Sequence, residues 1–411
     1  MKDYSKKLRR FAALIYAAVI LAMSFLFFTN DFGLVDIRKT AVIIGAGIDL
    51  TQEGVSVTAQ IAVPQPSENG ENTQFIEVEG SGITVADALN EINAKTGFFP
   101  KLVFCKLVIL GESCADKNIF EVLDYFYRDD YTQLTPIIAM CKGSAAELLA
   151  SQMRFGNTAT VSIERLLSDE AKKSGNASTV NLKMLGAAQY SPSAACYMPY
   201  IESRAAEGGA QQGGENGGEA GGQSSSQGQS GGQSSSQSGG QSGSQEQEFL
   251  CNKTAVFADG MFAGVLTEEQ TFALNILSNT VRHVFIPCEA DGQSYVLGLR
   301  NCSGGIGVSV DGAGAKVKAS FSAVAQIYDV TQPSDPQSAA EGVVPESVLK
   351  GGEKAVKERL ESLFGALKQS DCDALGIKTE LFRYHYSDYG RLKDVIMSGE
   401  AEYEVNLRSA G

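Results

Sequence analysis

The residues of this chain that could make or break bonds are few and scattered. Histidine occurs twice, at His283 and His385, with no H-E-x-x-H pairing, so nothing points to a His-rich metal centre. Without a partner in sequence, each reads as a solvent-facing or hydrogen-bonded structural residue. Cys105, Cys114, Cys141, Cys196, Cys251, Cys288, Cys302 and Cys372 include no C-x-x-C pair and no metal-finger spacing. Several fall inside apolar runs and read as small buried hydrophobes; their even number leaves disulfides open without fixing a connectivity. Asp129-Asp130 and Glu268-Glu269 are ordinary loop and helix-start carboxylates, and adjacent helical positions do not face one another. Gly228-Gln229-Ser230-Gly231-Gly232 matches the G-x-S-x-G of serine hydrolases but lacks the preceding strand and following helix that would hold the nucleophile. Gly45-Ala46-Gly47 follows a strand-like run, yet the third glycine of a dinucleotide turn would fall at Leu50, so a strand ending in a tight turn is expected there. These spacings predict no catalytic, cofactor-binding or metal-ligating residue and no cofactor. A wall or cortex glycosidase, which needs only two carboxylates, stays open as the enzymatic alternative.

The elements around these residues alternate between strand and helix. Ala41 to Asp49 and Gly54 to Val63 are β-branched runs joined by Leu50-Thr51-Gln52-Glu53, which predicts a hairpin, with a further strand near 74–79. Thr84 caps a helix carrying Val85, Ala88, Leu89 and Ile92 on one face and ending at Gly97. An apolar strand follows at 102–110. Asp116 then caps a helix bearing Ile119, Val122, Leu123 and Phe126, before a strand at 134–140 and a helix from Ser144 to about Met153. Further on, Leu250 to Phe257 and Met261 to Leu266 flank the turn dipeptide Asp259-Gly260, and Thr267 caps a helix with Glu269 or Gln270 near the reciprocal position. Strands are expected near 281–287, 294–299 and 316–330. Pro345 opens the longest helical pattern, with Leu349, Val356, Leu360, Leu363, Phe364 and Leu367 on one face and a first turn weakened by Gly351-Gly352. The polar face of that helix carries both charge signs, which marks it as facing a core rather than a membrane surface. Residues 402–408 alternate as a half-buried strand does. The fold class is α+β or mixed α/β, with mixed sheets covered by helices.

Lys2, Lys6, Lys7, Arg9 and Arg10 precede an unbroken apolar run from Phe11 to Phe28. A helical run of that length spans the ~30 Å hydrocarbon core, and the basic flank holds the amino end in the cytoplasm. We expect a cytoplasmic tail at 1–10, a single-pass transmembrane anchor in the lipid bilayer at 11–28, and an extracytoplasmic remainder. Ala22-Met23-Ser24 resembles a signal cleavage site, but apolar Phe25 to Phe28 continue past it. The first ten residues carry a net +4, which leaves −18 of acidic charge on the rest of a chain whose total is −14. Phosphate backbones repel such a surface, so no nucleic-acid partner is expected.

From about Ala206 to Glu248 the chain is nearly all Gly, Ser and Gln, with Gly-Gly-Gln-Ser-Ser-Ser-Gln at 221–227 and again at 231–237. Nothing there can be buried, and disorder is expected.

Several of these segments resemble the Ger(x)C family, the C subunits of bacterial spore germinant receptors. They are Val42 to Asp49 with Val57 to Pro64, Gly82 to Leu89, Lys106 to Glu112, Ala255 to Leu266, and Ser370-Asp371-Cys372-Asp373-Ala374-Leu375-Gly376-Ile377. The family usually begins with a lipid-bearing Cys and a Trp-Asp pair; this chain has no Trp, and Leu34-Val35-Asp36 stands near the equivalent place. A helix anchor would replace the lipid. The resemblance implies a three-domain, non-enzymatic subunit in the spore inner membrane, beside polytopic A- and B-type subunits, with any small-molecule germinant contacted indirectly if at all. The domains expected are 36–185, 186–300 with the insertion 206–248, and 301–411. A surface adhesion or solute-binding module is the other reading, but it would place its spacer beside the membrane, whereas this tract begins roughly 180 residues after the anchor.

Overall fold

Runs of Val, Ile and Leu that are buried on both faces build the first sheet, and one-sided alternation builds the second. In the computed structural model the described residues are 2–28, 40–67, 70–151, 158–205, 247–312, 314–331, 343–399 and 401–410; side chains are described for these except over 2–10, 26–28, 64–67 and 70–73. The expected disordered tract therefore falls almost wholly outside the described residues.

In chain order, helix α1 (Lys2–Phe28) is followed by β1 (Thr40–Thr51), β2 (Gly54–Ser67), β3 (Gly70–Gly82) and α2 (Val85–Thr96). Next come β4 (Phe99–Lys101), β5 (Leu107–Leu110), α3 (Ile119–Val122), α4 (Asp124–Arg128), β6 (Ile137–Cys141), α5 (Ala145–Leu149), α6 (Ala159–Leu166), α7 (Asp169–Lys173) and α8 (Leu182–Gln189). Then β7 (Ala195–Ala205), β8 (Gln247–Ala258) and β9 (Met261–Leu266) precede α9 (Glu268–Leu277). The chain ends with β10 (His283–Ala290), β11 (Gln293–Asp311), β12 (Gly314–Val330), α10 (Glu346–Gln369), α11 (Ile377–Tyr384), α12 (Tyr386–Leu392) and β13 (Ala401–Ser409).

The first sheet runs β3-β2-β1-β5-β6-β7-β8-β9, with β4 beside the start of β1. Strands β1, β4, β5, β6 and β7 are parallel, and antiparallel strands flank them on both sides. All four residues of β5 are buried, as a parallel strand covered on both faces requires. One face packs on α2, α3, α4 and α8 through Leu89, Ile92, Leu123, Phe126 and Leu185; the other packs on α5 and α6 through Leu148, Leu149 and Ile163. The second sheet, β10-β11-β12-β13, pairs antiparallel except for the parallel β12–β13 ladder. In β10 burial alternates strictly, and α9 and α10 cover the buried face.

The 40–63 hairpin forms, with Thr51 opposite Gly54. Thr84 caps α2 by accepting Asp87 N, and Gly97 closes it in the left-handed conformation. Thr267 and Gln270 form a reciprocal capping box. Other expectations change. The strand foreseen at 102–110 is confined to β5 at Leu107–Leu110, because Cys105 N bonds Leu102 O in a turn, and β4 lies before it. The helix foreseen from Asp116 starts instead from Asn118, whose side chain accepts Phe120 N. Pro345 stands at the cap rather than at the first helical position. No turn occurs at Gly45-Ala46-Gly47: β1 runs on to Thr51, and the two glycines lie under α5 and α6. A Cβ at Gly45 would sit 2.0 Å from Thr160 Oγ1, and one at Gly47 2.9 Å from Leu149 Cδ1.

The sheets also cut across the divisions drawn at 185/186 and 300/301. Strands β7 to β9 continue the first sheet, and β11 passes through residue 300. Finally, no helix among the described residues is long and apolar enough to cross a membrane. Side chains of α1 are described only over 11–25, a rise of about 22 Å, and 26–28 of the expected span lie outside them.

Candidate interaction surface

The two histidines stay apart in space. His283 opens β10 opposite Arg300 and meets the Phe285 ring edge-on at 4.9 Å. His385 lies between α11 and α12 and bonds Val308 O through Nε2 at 3.0 Å, eight residues further along β11, roughly 25 Å away at the usual strand rise. Asp129 accepts the Thr132 hydroxyl at 2.7 Å, and Glu268 accepts Asn252 Nδ2 at 3.0 Å. All eight cysteines are buried free thiols, and burial pushes Cys105, Cys114, Cys196, Cys251 and Cys372 each up to about 12, far from thiolate. Among the described residues no group of three or more His, Cys, Asp or Glu could hold a metal. The G-x-S-x-G at 228–232 lies outside the described residues.

The segments that resemble the germinant-receptor subunits converge on joints. At the carboxyl end of β1, Asp49 accepts Ser144 Oγ at 2.9 Å and the Ala145 and Ala146 amides at 3.0 Å, capping α5 from a different element. Gly111 leaves room beside it, since a Cβ there would fall 1.8 Å from Asp49 Oδ1 and displace that cap. Glu112 N bonds Gly143 O at 2.8 Å, and Gly143 N returns a bond to Glu112 Oε2 at 2.9 Å, so the ends of β1, β5 and β6 are tied together.

A second joint forms where Asp259 and Gly260, at φ of 50° and 78°, turn the β8–β9 hairpin. Asn118 Nδ2 bonds Asp259 O at 2.9 Å and Ile119 N bonds Gly260 O at 2.9 Å, fixing the start of α3 to that turn. The third joint is Asp373, 2% exposed, whose carboxylate accepts the Ile377 and Lys378 amides at 2.7 Å and so caps α11. Thr379 N bonds Ser193 Oγ at 3.1 Å, and Cys372 Sγ meets Phe257 O at 3.4 Å, so this loop fastens the second sheet's helices onto the first sheet.

What remains open to a partner is surface. A cleft of about 390 Å³ lies between the tip of the β1–β2 hairpin, the start of α2 and α3–α4, with Leu50, Val55, Ile83, Tyr125 and Arg128 in its lining. Ile83 at its rim is 80% exposed. Of its carboxylates, Asp124 is taken by Arg128 at 2.6 Å. A second cleft of about 350 Å³ lies beside α10, lined by Phe364, Lys368, Met397 and Tyr403 among others. Walls that mix apolar side chains with a few charged groups suit recognition of a protein or small ligand. Along α1 every described side chain from Phe11 to Phe25 is exposed. Sequence patterning marks α1 but neither cleft, because Ile83 and Tyr125, 42 residues apart in sequence, come together only in the folded chain.

Comparison with known proteins bears on what these surfaces serve. Residues 34–203 match the family described as spore germination protein N-terminal domain, and residues 252–409 match spore germination B3/GerAC like, C-terminal. Spore germination protein B3 of Bacillus subtilis (strain 168) is 27% identical over 119 residues, which span 28% of this chain and 31% of that relative. The alignment thus covers about a third of the relative's length. A solved structure titled as the crystal structure of the GerBC protein superposes over 91% of this chain and 98% of its own, with 14% identity and a TM-score of 0.46.

Proposed function

Since this chain belongs to the Ger(x)C family of spore germinant-receptor C subunits, we propose that it acts without catalysis, as a membrane-anchored extracytoplasmic subunit that works through contacts with polytopic receptor subunits. The observation that carries the anchored reading is α1. Its side chains over 11–25 are apolar apart from the Ser24 hydroxyl and the Tyr16 phenol, and all of them are exposed, Leu21 at 72%. A helix apolar on all sides and exposed among the described residues calls for an apolar surrounding. Five basic residues within the first ten set its amino end in the cytoplasm, and the acidic remainder follows on the far side, at the spore inner membrane. The clefts beside α2 and α10 then serve as contact surfaces, with any germinant reached through the partners.

The test is an affinity pull-down of tagged protein from detergent-solubilised membranes of sporulating cells, run beside the Leu21→Arg variant. The wild type should bring down two polytopic partners of the germinant-receptor type. The variant should fall out of the membrane fraction, because a charge near the bilayer centre costs about 2.5–3.5 kcal/mol on insertion scales. Unchanged membrane retention of the variant would sink the anchor, and recovery of the protein alone or with wall fragments would move the reading to an adhesion or hydrolase role.

A further inference from the structure

Among the described residues, the first sheet carries an exposed aromatic face at one end. Phe98, Phe99, Phe104, Tyr131 and Leu134 are all exposed there, Phe104 at 61% and Tyr131 at 55%. They are separate in sequence and share one edge, the amino ends of the parallel strands. Phe99 pairs with Thr40 at the first step of the β1–β4 ladder. Phe104 sits in the turn before β5, whose ladder then runs from Leu107 opposite Ile137. Tyr131 and Leu134 lie in the connection that enters β6, and Lys101 Nζ stands 3.7 Å over the Tyr131 ring, joining the two halves of the patch.

This is also the edge from which the chain runs back to α1. Phe28 ends that helix and Thr40 begins β1 beside Phe99, so the intervening residues can hold this edge no more than about 40 Å from the end of α1. We propose that the Phe98–Phe104 and Tyr131–Leu134 face rests on the outer interface of the lipid bilayer and sets the orientation of the first sheet above it. Phenyl and phenol rings with a lysine beside them are the side chains that settle at that depth, ring toward the acyl chains and charge toward the headgroups. Asp129, at the edge of the patch, accepts the Thr132 hydroxyl, and Asp130 beside Tyr131 is exposed, where it can stay in water above the headgroups. The acidic charge of the chain as a whole opposes attachment by anionic headgroups, so buried ring area is the attractive force here. The inference rests on the anchored reading of α1, and the experiment separates the two.

The chain has no Trp, so one introduced indole reports alone. Full-length Phe104→Trp, Leu21→Trp and Tyr328→Trp variants are each placed in nanodiscs of ordinary and of brominated phosphatidylcholine. Leu21 tests the anchor; Tyr328, 72% exposed on the second sheet, serves as the reference for an exposed ring. The proposal expects Phe104→Trp to emit to the blue of Tyr328→Trp and to be quenched more by bromines high on the acyl chain than by bromines near its end. Quenching at Leu21 with none at Phe104 overturns the proposal and leaves the anchor standing. Blue-shifted emission at Phe104 without lipid quenching also overturns it, since protein, whether residues 29–39 or another subunit, then covers the face. Absence of quenching at Leu21 removes the anchor; quenching at Phe104 in that case still supports the face, and none there removes both.

Discussion

Asp373 shows how much one buried carboxylate holds. It caps α11 through two amides, beside the Ser193 hydroxyl, in the loop that fastens the two sheets' helices together. Burial pushes its carboxyl up from the ordinary range, against the Lys378 and Ile377 amides and Ser193, which favour the ionised form. A carboxyl raised in the folded state contributes stability that is fully present below its unfolded value, about 3.9, and is lost as pH rises through the folded value. Asp373→Asn keeps the volume, offers one oxygen to two amides, and should cost about 1–2 kcal/mol. The gap to wild type should be smallest near neutrality and widen as pH falls toward 4.5, which paired urea melts would read. A gap constant across that range would show that this carboxyl is not shifted. The residue was visible in the Ser370–Ile377 segment, but its role was not. That role depends on Asp371 at φ 47° and Gly376 at φ 76°, which swing the chain so that the cap reaches α11, and nothing in the spacing announces those angles.

Glycines in α10 carry the same lesson one level up. Helical patterning placed this element and named most of its buried face correctly: Val356, Leu360, Leu363 and Leu367 are all buried, each stabilising by about 1.5–3 kcal/mol. The Gly351-Gly352 pair read as a weak first turn because propensity sees only backbone entropy. In the structure a Cβ at Gly351 would meet Glu289 O at 2.5 Å, and one at Gly352 would meet Leu297 Cδ1 at 2.7 Å and Leu407 Cδ1 at 2.9 Å. The pair lets the helix lie close on β10, β11 and β13. Gly365, on the exposed side of the same helix, would meet nothing within 4 Å. Gly365→Ala should therefore raise stability by about 0.5–1 kcal/mol, whereas Gly351→Ala should lower it by about 1–3 kcal/mol through the carbonyl clash. Chemical melts of both variants decide the matter, and a gain at both sites would mean that α10 does not depend on close approach. Helices α6 to α8 escaped the sequence reading for a related reason: they are short, and their caps, Thr158, Ser168 and Asn181, look like loop residues until the chain is seen to turn at each.

At the scale of the molecule, the question is how one chain with a long polar tract in its middle stays one body. Both ends of the tract enter a single ladder: β7 and β8 pair antiparallel from Ala205 opposite Gln247 to Ala195 opposite Ala258. The first sheet thus closes on residues from both sides of the tract, and α9 carries the connection onward. Thr271 Oγ1 bonds Thr254 Oγ1 at 3.0 Å, Ser178 shares the same hydroxyl, and Asn275 Nδ2 bonds Gly175 O at 2.9 Å, all buried. Leu274 and Ile276 of that helix enter the core of the second sheet. Composition marks the tract, and the run Leu250 to Phe257 after it reads as a strand. That β7 and β8 would extend the amino-terminal sheet was beyond sequence, because parallel pairing of β6 with β7 leaves no local mark. Cutting the chain here should therefore break a covalent link without parting the fold. With a site-specific protease sequence inserted near residue 225, complete cleavage should yield two fragments that elute together from a sizing column in native buffer and separate only in denaturant. The ladder, the Ser178–Thr254 hydroxyl pair, the Asn275–Gly175 bond and the Thr379–Ser193 bond all span the cut. Free separation of the fragments without denaturant would mean that the tract joins two independent bodies and that the β7–β8 pairing does not hold them.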